Sequence, residues 1–427
     1  MNLSNHKKFL GLSSFEMLAM FRRGLFYAYL SIYLRHYLGL SVTETTLFAT
    51  LPMIVNILCQ TFIWGRISDR FQLRRTLIVI GEILAGIGTL LVWYVHRKFA
   101  QPAAAGYAII VGLSVVEIFW SMSNIAWSAL ISDIYADQDR SRMLGRLTSM
   151  GGLGRMAGVW VGGLLYDGMG THFSGWGFHE GSLFFVASSA MWISTLPLLL
   201  LPEGGTKPAK KIEDAASEPG AADATMLFFT LFLAGMVFIN FGRNSVAIIL
   251  AQYLTLPTGI DVGSRELGYI FNTQSAAMIL LGWATGWMSR RIGDDVSLMA
   301  STLVGIIALM VLAKTTWLPL IYFCSFMRGF ADVIIMATSY TMASVLIPPE
   351  KRGRLFALFN ATFFLSWGLA GTFIAGSIVD LLIQKNIAET TAYQISFMVG
   401  AGITFIGLII QGVLKGMRSS RREPDSG

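Results

Sequence analysis

Apolar residues run along the chain in long stretches separated by short polar turns, and none of the stretches alternates with a period of two. The stretches are Leu12–Tyr37, Leu47–Trp64, Thr76–Val95, Ala103–Ile131, Met143–Leu165, Leu183–Leu201, Met226–Leu254, Leu267–Met288, Val296–Ala313, Leu318–Ile347, Leu355–Ile383 and Tyr393–Leu414. A run of roughly 17–25 apolar residues can carry a helix across the hydrocarbon core of a bilayer. That core holds no water, so each backbone N–H and C=O must find its partner within the segment. The stretches therefore predict helices, and the alternating segments of a barrel are missing. The expectation is an all-α integral membrane protein with twelve transmembrane helices.

Composition agrees with the pattern. Of 427 residues, 54% are hydrophobic and 13% charged, against about 25% charged in a soluble domain. The net charge of +7 would suit nucleic acid in a soluble protein. Here the positive charge is better read as a topology signal, with no nucleic-acid partner. Apart from arginines inside the spans, Lys and Arg gather on one side, at Lys7, Lys8, Arg66, Arg70, Arg74, Arg75, Arg140, Arg142, Arg146, the lysines of 207–211, Arg290, Arg291, 351–354 and 415–422. The other side receives only Arg35, Arg97, Lys98, Arg265, Lys314 and Lys385. Positive-inside asymmetry then puts both termini in the cytoplasm. Cys59 and Cys324 fall inside apolar runs, which indicates no disulfide framework. Met1–Phe9 is polar and too short for a cleaved signal, so the first run is itself a span.

Pro202–Thr225 contains Pro, Gly, Ala, Glu, Asp and Lys and almost no large apolar residue. Such a segment cannot bury a core and reads as a flexible cytoplasmic linker. It divides the chain into a six-helix bundle at 1–201, the linker at 202–225, a second bundle at 226–416 and a tail at 417–427. The two halves repeat each other. Arg23, Leu30, Tyr33 and Leu34 in the first span match Arg243, Leu250, Tyr253 and Leu254 in the seventh at a constant offset. The stretch from Asp139 to Met143 matches that from Lys351 to Leu355 in the same way.

The clearest repeat lies in the loops after the second span of each half. The first reads Gly65-Arg66-Ile67-Ser68-Asp69-Arg70-Phe71-Gln72-Leu73-Arg74-Arg75, the second Gly286-Trp287-Met288-Ser289-Arg290-Arg291-Ile292-Gly293. The first resembles the signature loop between helices 2 and 3 of the major facilitator superfamily, carried here by Gly65, Asp69, Arg70, Arg74 and Arg75. Gln72 stands where that family usually has Gly. In the second copy Gly286 and Arg291 match, Arg290 replaces the Asp, and Gly293 restores the Gly. The resemblance implies two pseudo-symmetric six-helix bundles, alternating access, and a gating role for Gly65, Asp69, Arg70, Arg74, Gly286 and Arg291.

Ionisable groups within spans are costly and mark function. They are Arg22, Arg23, Arg155, Arg243 and Arg328, with the acids Glu16, Glu82, Glu117 and Asp332. Arg23 and Arg243 occupy matching positions and are candidates to bind an anionic substrate, since the guanidinium is always charged and presents a planar fork. Arg22, Arg328, Asn124 and Asn240 join them as candidate substrate contacts. The alternative is that each arginine is locked to an acid. Arg328 and Asp332, one turn apart, share a face and can pair. Glu117, with no such neighbour in sequence, is the first candidate for proton coupling, before Asp332 and Glu82.

The fifth span carries Gly151, Gly152, Gly154, Gly158, Gly162 and Gly163 around Arg155, a flat strip for close helix contact. It faintly resembles the antiporter motif of drug-exporting members of the family, with Val159 where that motif has Pro. No Walker-type phosphate loop occurs, the histidines lie at span ends or in loops, and the methionines are scattered. No cofactor or resident metal is expected. The leading expectation is a non-enzymatic, proton-coupled secondary transporter of a small anion, a monomer in the bacterial inner membrane. Alternatives are an exporter of lipophilic drug-like compounds, an iron or iron-chelate transporter of the kind associated with magnetosomes, and a non-transporting scaffold or receptor.

Overall fold

A computed structural model describes residues 3–135, 137–168, 175–205, 219–347 and 352–420. Outside the described residues lie 206–218 of the expected linker and 421–427 of the expected tail. The same holds for Lys351 and for the side chains of Asp69, Arg140, Arg142, Arg352 and Arg354.

Long helices follow one another: α1 Leu3–Ile32, α2 Val42–Cys59, α3 Arg74–His96, α4 Pro102–Ile134, α5 Asp137–Tyr166, α6 Ser182–Leu198, α7 Pro219–Leu254, α8 Ser264–Ile292, α9 Asp294–Lys314, α10 Leu318–Leu346, α11 Arg352–Ala370 and α12 Glu389–Ser420. Three of them run into a π-helical turn: α1 ends in Tyr33–Tyr37, α2 passes through Gln60–Trp64 into the short helix Gly65–Phe71, and α11 through Gly371–Gly376 into Ser377–Gln384. Each corresponds to one apolar stretch. Among the described residues eight helices are long and apolar enough by length and composition to cross a membrane. The remaining four are α1, α5, α6 and α8. α1 carries Glu16, Arg22 and Arg23, α5 carries Arg146 and Arg155, α6 has only 17 residues, and α8 ends in Arg290 and Arg291.

Local signals account for several helix starts. Ser41 and Glu44 form a reciprocal capping box at the head of α2. Pro102 opens α4, where its missing N–H costs nothing.

The chain divides into two compact units, residues 1–210 with 254–257 and 261–272, and residues 211–253 with 258–260 and 273–427. Within the first, α1 packs along α5 and α6, α3 along α4 and α6, and α2 along α4. An apolar core of Leu12, Phe15, Ile78, Ala126, Leu130 and Leu198 fills it. Within the second, α9 packs along α10 and α12, and Phe232, Met236, Ile239, Leu298, Ile335 and Leu414 form its core.

The glycine strip of α5 lies on α1. A Cβ at Gly154 would fall on the carbonyl oxygen of Met17, one at Gly158 on that of Phe21, and one at Gly24 on that of Arg155. This backbone-to-backbone approach is the contact expected of small residues at this spacing.

The expected boundaries shift in two places: α7 starts at Pro219, before the expected Met226, and α12 runs to Ser420, past the expected start of the tail. Residues 202–205 are not free. Glu203 accepts hydrogen bonds from Thr76 N at 2.9 Å and Thr76 Oγ1 at 3.1 Å, and its carbonyl accepts from Arg75 N at 3.1 Å. Arg75 Nε lies 3.2 Å from its carboxylate. Leu73, the residue before α3, offers no side-chain cap. Glu203 thus satisfies the first-turn donors of α3 in its place.

Candidate functional site

Side chains singled out on charge alone fall into three clusters, one at the signature loop and one inside each unit.

At the signature loop, Gly65 opens the short helix after the π-helical turn. A Cβ there would come within 2.7 Å of the Gln60 carbonyl oxygen. Arg74 is buried and donates to the backbone and hydroxyl oxygens of Ser68, with Nε 3.4 Å from Asp133 on α4. The same Asp133 carboxylate accepts from Gly205 N at 2.9 Å. Arg70 is exposed, with its guanidinium 5.7 Å from the Phe71 ring. Gln72 ends the short helix in the left-handed conformation, φ 53° and ψ 24°. Gly takes this conformation freely and an L side chain does not, which gives a physical reason for the family's Gly at this place. The second copy has glycine here, and Gly293 also takes a positive φ, at φ 80° and ψ 158° at the head of α9. Gln72→Gly is therefore expected to stabilise the protein by up to about 1 kcal/mol, read as a higher melting temperature in detergent. A lower one would mean the Gln72 side chain holds the loop. Arg291, the counterpart of Arg70, is likewise exposed, with its guanidinium 5.7 Å from the Trp287 ring. Gly286 lies within α8.

In the first unit, Arg22 is 2% exposed and its Nη1 lies 3.2 Å from Glu82 on α3, itself 1% exposed. Ser123 on α4 donates to the other Glu82 oxygen at 2.8 Å. The Arg22 guanidinium stacks 3.5 Å from the Trp120 ring, and Tyr27 is stacked between Trp120 and Phe48. Its neighbour Arg23 is exposed and lies 5.1 Å from the same Trp120 ring. Glu117 on α4 is buried and accepts a hydrogen bond from the Asn56 amide on α2. Asn124 is half-buried on α4.

In the second unit, Arg243 Nη1 lies 2.8 Å from Asp332 on α10. Gln274 on α8 donates to the second Asp332 oxygen at 2.9 Å, and Phe363 on α11 lies 5.3 Å from the Arg243 guanidinium. Asp332 therefore pairs across helices and not with Arg328, one turn before it. The shared face permits that pair, but both Asp332 oxygens are taken by Arg243 and Gln274. Arg328 makes no hydrogen bond or ion pair among the described residues, and its Nη1 is buried without a partner. Asn240 is buried and donates to Thr362 at 3.1 Å, while Asn244 donates to Ser366 at 2.8 Å.

The matched arginines thus differ in circumstance. Arg243 is paired and faces an aromatic ring. In the first unit that description fits Arg22, not Arg23. Of the three acids, Glu82 and Asp332 each hold an arginine and a neutral donor, whereas the hydrogen-bonding partner of Glu117 is an amide. Asn56 and Gln274, which complete these clusters, are polar residues within apolar stretches, and that polarity was their signal in the sequence.

The family model of the Major Facilitator Superfamily matches residues 12–370, and again residues 227–426. The chain belongs to the major facilitator superfamily. It is a multi-pass membrane transporter with the twelve-helix fold of that superfamily. Solved structures share the fold at low identity. A variant of the nucleoside transporter NupG aligns at TM-score 0.74 and 13% identity, covering 95% of this chain and 99% of that one. A bacterial homologue of the human lysosomal transporter Spinster aligns at 0.70 and 16%, covering 97% of each. A bacterial homologue of the iron transporter ferroportin aligns at 0.70 and 14%, covering 97% and 99%. No curated protein sequence matches the chain significantly. At such identities the likeness carries the fold and not the cargo.

Proposed function

We propose that this major facilitator protein moves a small anionic solute across the bacterial inner membrane by alternating access, coupled to protons, with both termini cytoplasmic. The observation that carries the anionic cargo is Arg328, a guanidinium within α10 whose Nη1 is buried without a partner. A buried guanidinium nitrogen that makes no hydrogen bond is unfavourable, and within a membrane-spanning helix more so. Retaining one in a transporter core makes sense where the cargo supplies the missing acceptor. Arg243, already holding Asp332, lies within electrostatic reach of Arg328. Glu117 is the proton carrier in this scheme. It is buried and hydrogen-bonded to an amide, so gaining a proton breaks no ion pair of its own. Glu82, held by Arg22, and Asp332, held by Arg243, are poorer carriers for the opposite reason. Asp69, Arg70 and Arg74, with Gly286 and Arg291 in the second copy, act in gating. The buried Arg74–Asp133 contact supports a structural latch at the first loop.

The test is ligand-induced thermal stabilisation of the purified protein, because a ligand that binds the folded state raises its apparent stability. A panel of small anions is set against lipophilic cations such as tetraphenylphosphonium. Anions are expected to raise the melting temperature, and Arg328→Gln to abolish the rise. A stabilising anion then serves as cargo in liposomes, where Glu117→Gln should uncouple uptake from an imposed pH gradient. If only lipophilic cations stabilise, and Arg328→Gln leaves that effect intact, the exporter reading replaces this one.

A further inference from the structure

The charges in the middle of the second unit's spans do not cancel. Among its described residues these are Arg243 on α7 and Arg328 and Asp332 on α10, while Asp380 stands about one turn from the end of the continuation of α11. Arg243 and Asp332 neutralise each other at 2.8 Å, and Gln274 occupies the remaining Asp332 oxygen. One positive charge is left, on Arg328, within electrostatic reach of both members of the pair. Two buried guanidinium nitrogens, Arg328 Nη1 and Arg243 Nε, have no hydrogen-bond partner. In the first unit the arginines within spans, Arg22, Arg23 and Arg155, are matched in number by the acids Glu16, Glu82 and Glu117, with Arg22 paired to Glu82 and Arg23 in the field of Glu16 and Glu117.

We propose that the cargo group received by Arg328 carries a single negative charge, and that Asp332 is the residue that rejects a second. The proposal rests on the anion-transporter reading above and narrows it to monovalent anions. A monoanion on Arg328 brings this interior to neutrality, and it can accept hydrogen bonds from the orphaned donors. A dianion overshoots. Its second charge has no free cation to meet, because Arg243 is committed to Asp332, and it must approach the Asp332 carboxylate. Repulsion between like charges at a half-buried site, screened less than in bulk water, discriminates between such ligands. Asp332 thus does two things: it holds Arg243 in place through a pair that also pins Gln274, and it limits the charge the site will accept.

The chemistry fits an organic monocarboxylate or an inorganic monoanion, and the probes separate the two. Benzoate and phthalate form a pair sharing one ring and differing by one carboxylate. Nitrate and sulfate do the same for inorganic ions. All four are titrated against the purified full-length protein at constant ionic strength, and apparent affinities are read from the melting temperature. Wild type should bind benzoate at least about tenfold more tightly than phthalate, or nitrate than sulfate by the same margin. Arg328→Gln should lose the monoanion response and Arg328→Lys should keep it, because the lysine retains the charge. Asp332→Asn, which raises the surplus from one charge to two, should move the preference to the dianion of the same pair. If that variant does not fold, as its melting curve without ligand shows, the Lys and Gln variants at Arg328 carry the test.

A wild-type preference for dianions, with Arg328→Gln still abolishing it, overturns the single-charge limit and leaves the anion reading standing. Folded Asp332→Asn with an unchanged preference overturns the role of Asp332. No response to any of the four anions overturns both readings together.

Discussion

Glu82→Ala is expected to lower the stability of the protein by about 3–5 kcal/mol, the range seen when one partner of a buried ion pair is removed. The size follows from what is left behind. Arg22 is 2% exposed, its Nε and Nη2 already lack partners, and Glu82 is its acid. Without Glu82 the guanidinium keeps the face of Trp120 at 3.5 Å but no ion pair among the described residues. Ser123 would lose its acceptor as well. The change is read as a fall in melting temperature and in the folded yield from detergent. The double variant Arg22→Met with Glu82→Leu should recover much of the loss, since replacing both charges with apolar groups is often close to neutral. A Glu82→Ala protein that melts where wild type does would show that the pair contributes nothing to the fold.

The second large effect is expected at Gly158. A Cβ at this position meets the carbonyl oxygen of Phe21, and Leu25 N lies 3.0 Å away. Both are backbone atoms of α1 and cannot swing aside as a side chain would. Overpacking of side chains typically costs about 1–3 kcal/mol. Gly158→Leu should reach or exceed the upper end, because α5 as a whole must move off α1. Gly402 supplies the control, since nothing lies within 4 Å of a Cβ built there. Gly402→Ala should leave the melting temperature unchanged, and equal effects at the two positions would refute the packing account.

The fold was legible in the sequence because its cause is a single strong constraint. A backbone in hydrocarbon must bond to itself, so every long apolar stretch had to become a helix. The family's signature loop was legible for the same reason of locality, down to Gln72 standing in a place that the backbone reserves for left-handed φ. The pairing of charges was not local. Arg22 and Arg23 are adjacent, point about 100° apart, and look alike in sequence. What separates them is Glu82, which α3 brings to Arg22 across 60 positions. Helical spacing favoured an Arg328–Asp332 pair, and the tertiary approach of Arg243 and Gln274 overrode it. Glu203 was missed because it sits in a segment whose composition reads as unstructured.

That last residue changes where the chain can be divided. Glu203 closes the head of a helix whose sequence lies far behind it, and Gly205 shares Asp133 with Arg74. A half expressed as a separate fragment ending at Leu201 would leave α3 open at its head and Arg75 without its carboxylate. A fragment carried on past Gly205 keeps both. For split-protein complementation, circular permutation or insertion of a reporter, the first usable joint therefore lies after Gly205 and not where the last apolar stretch of the first half stops.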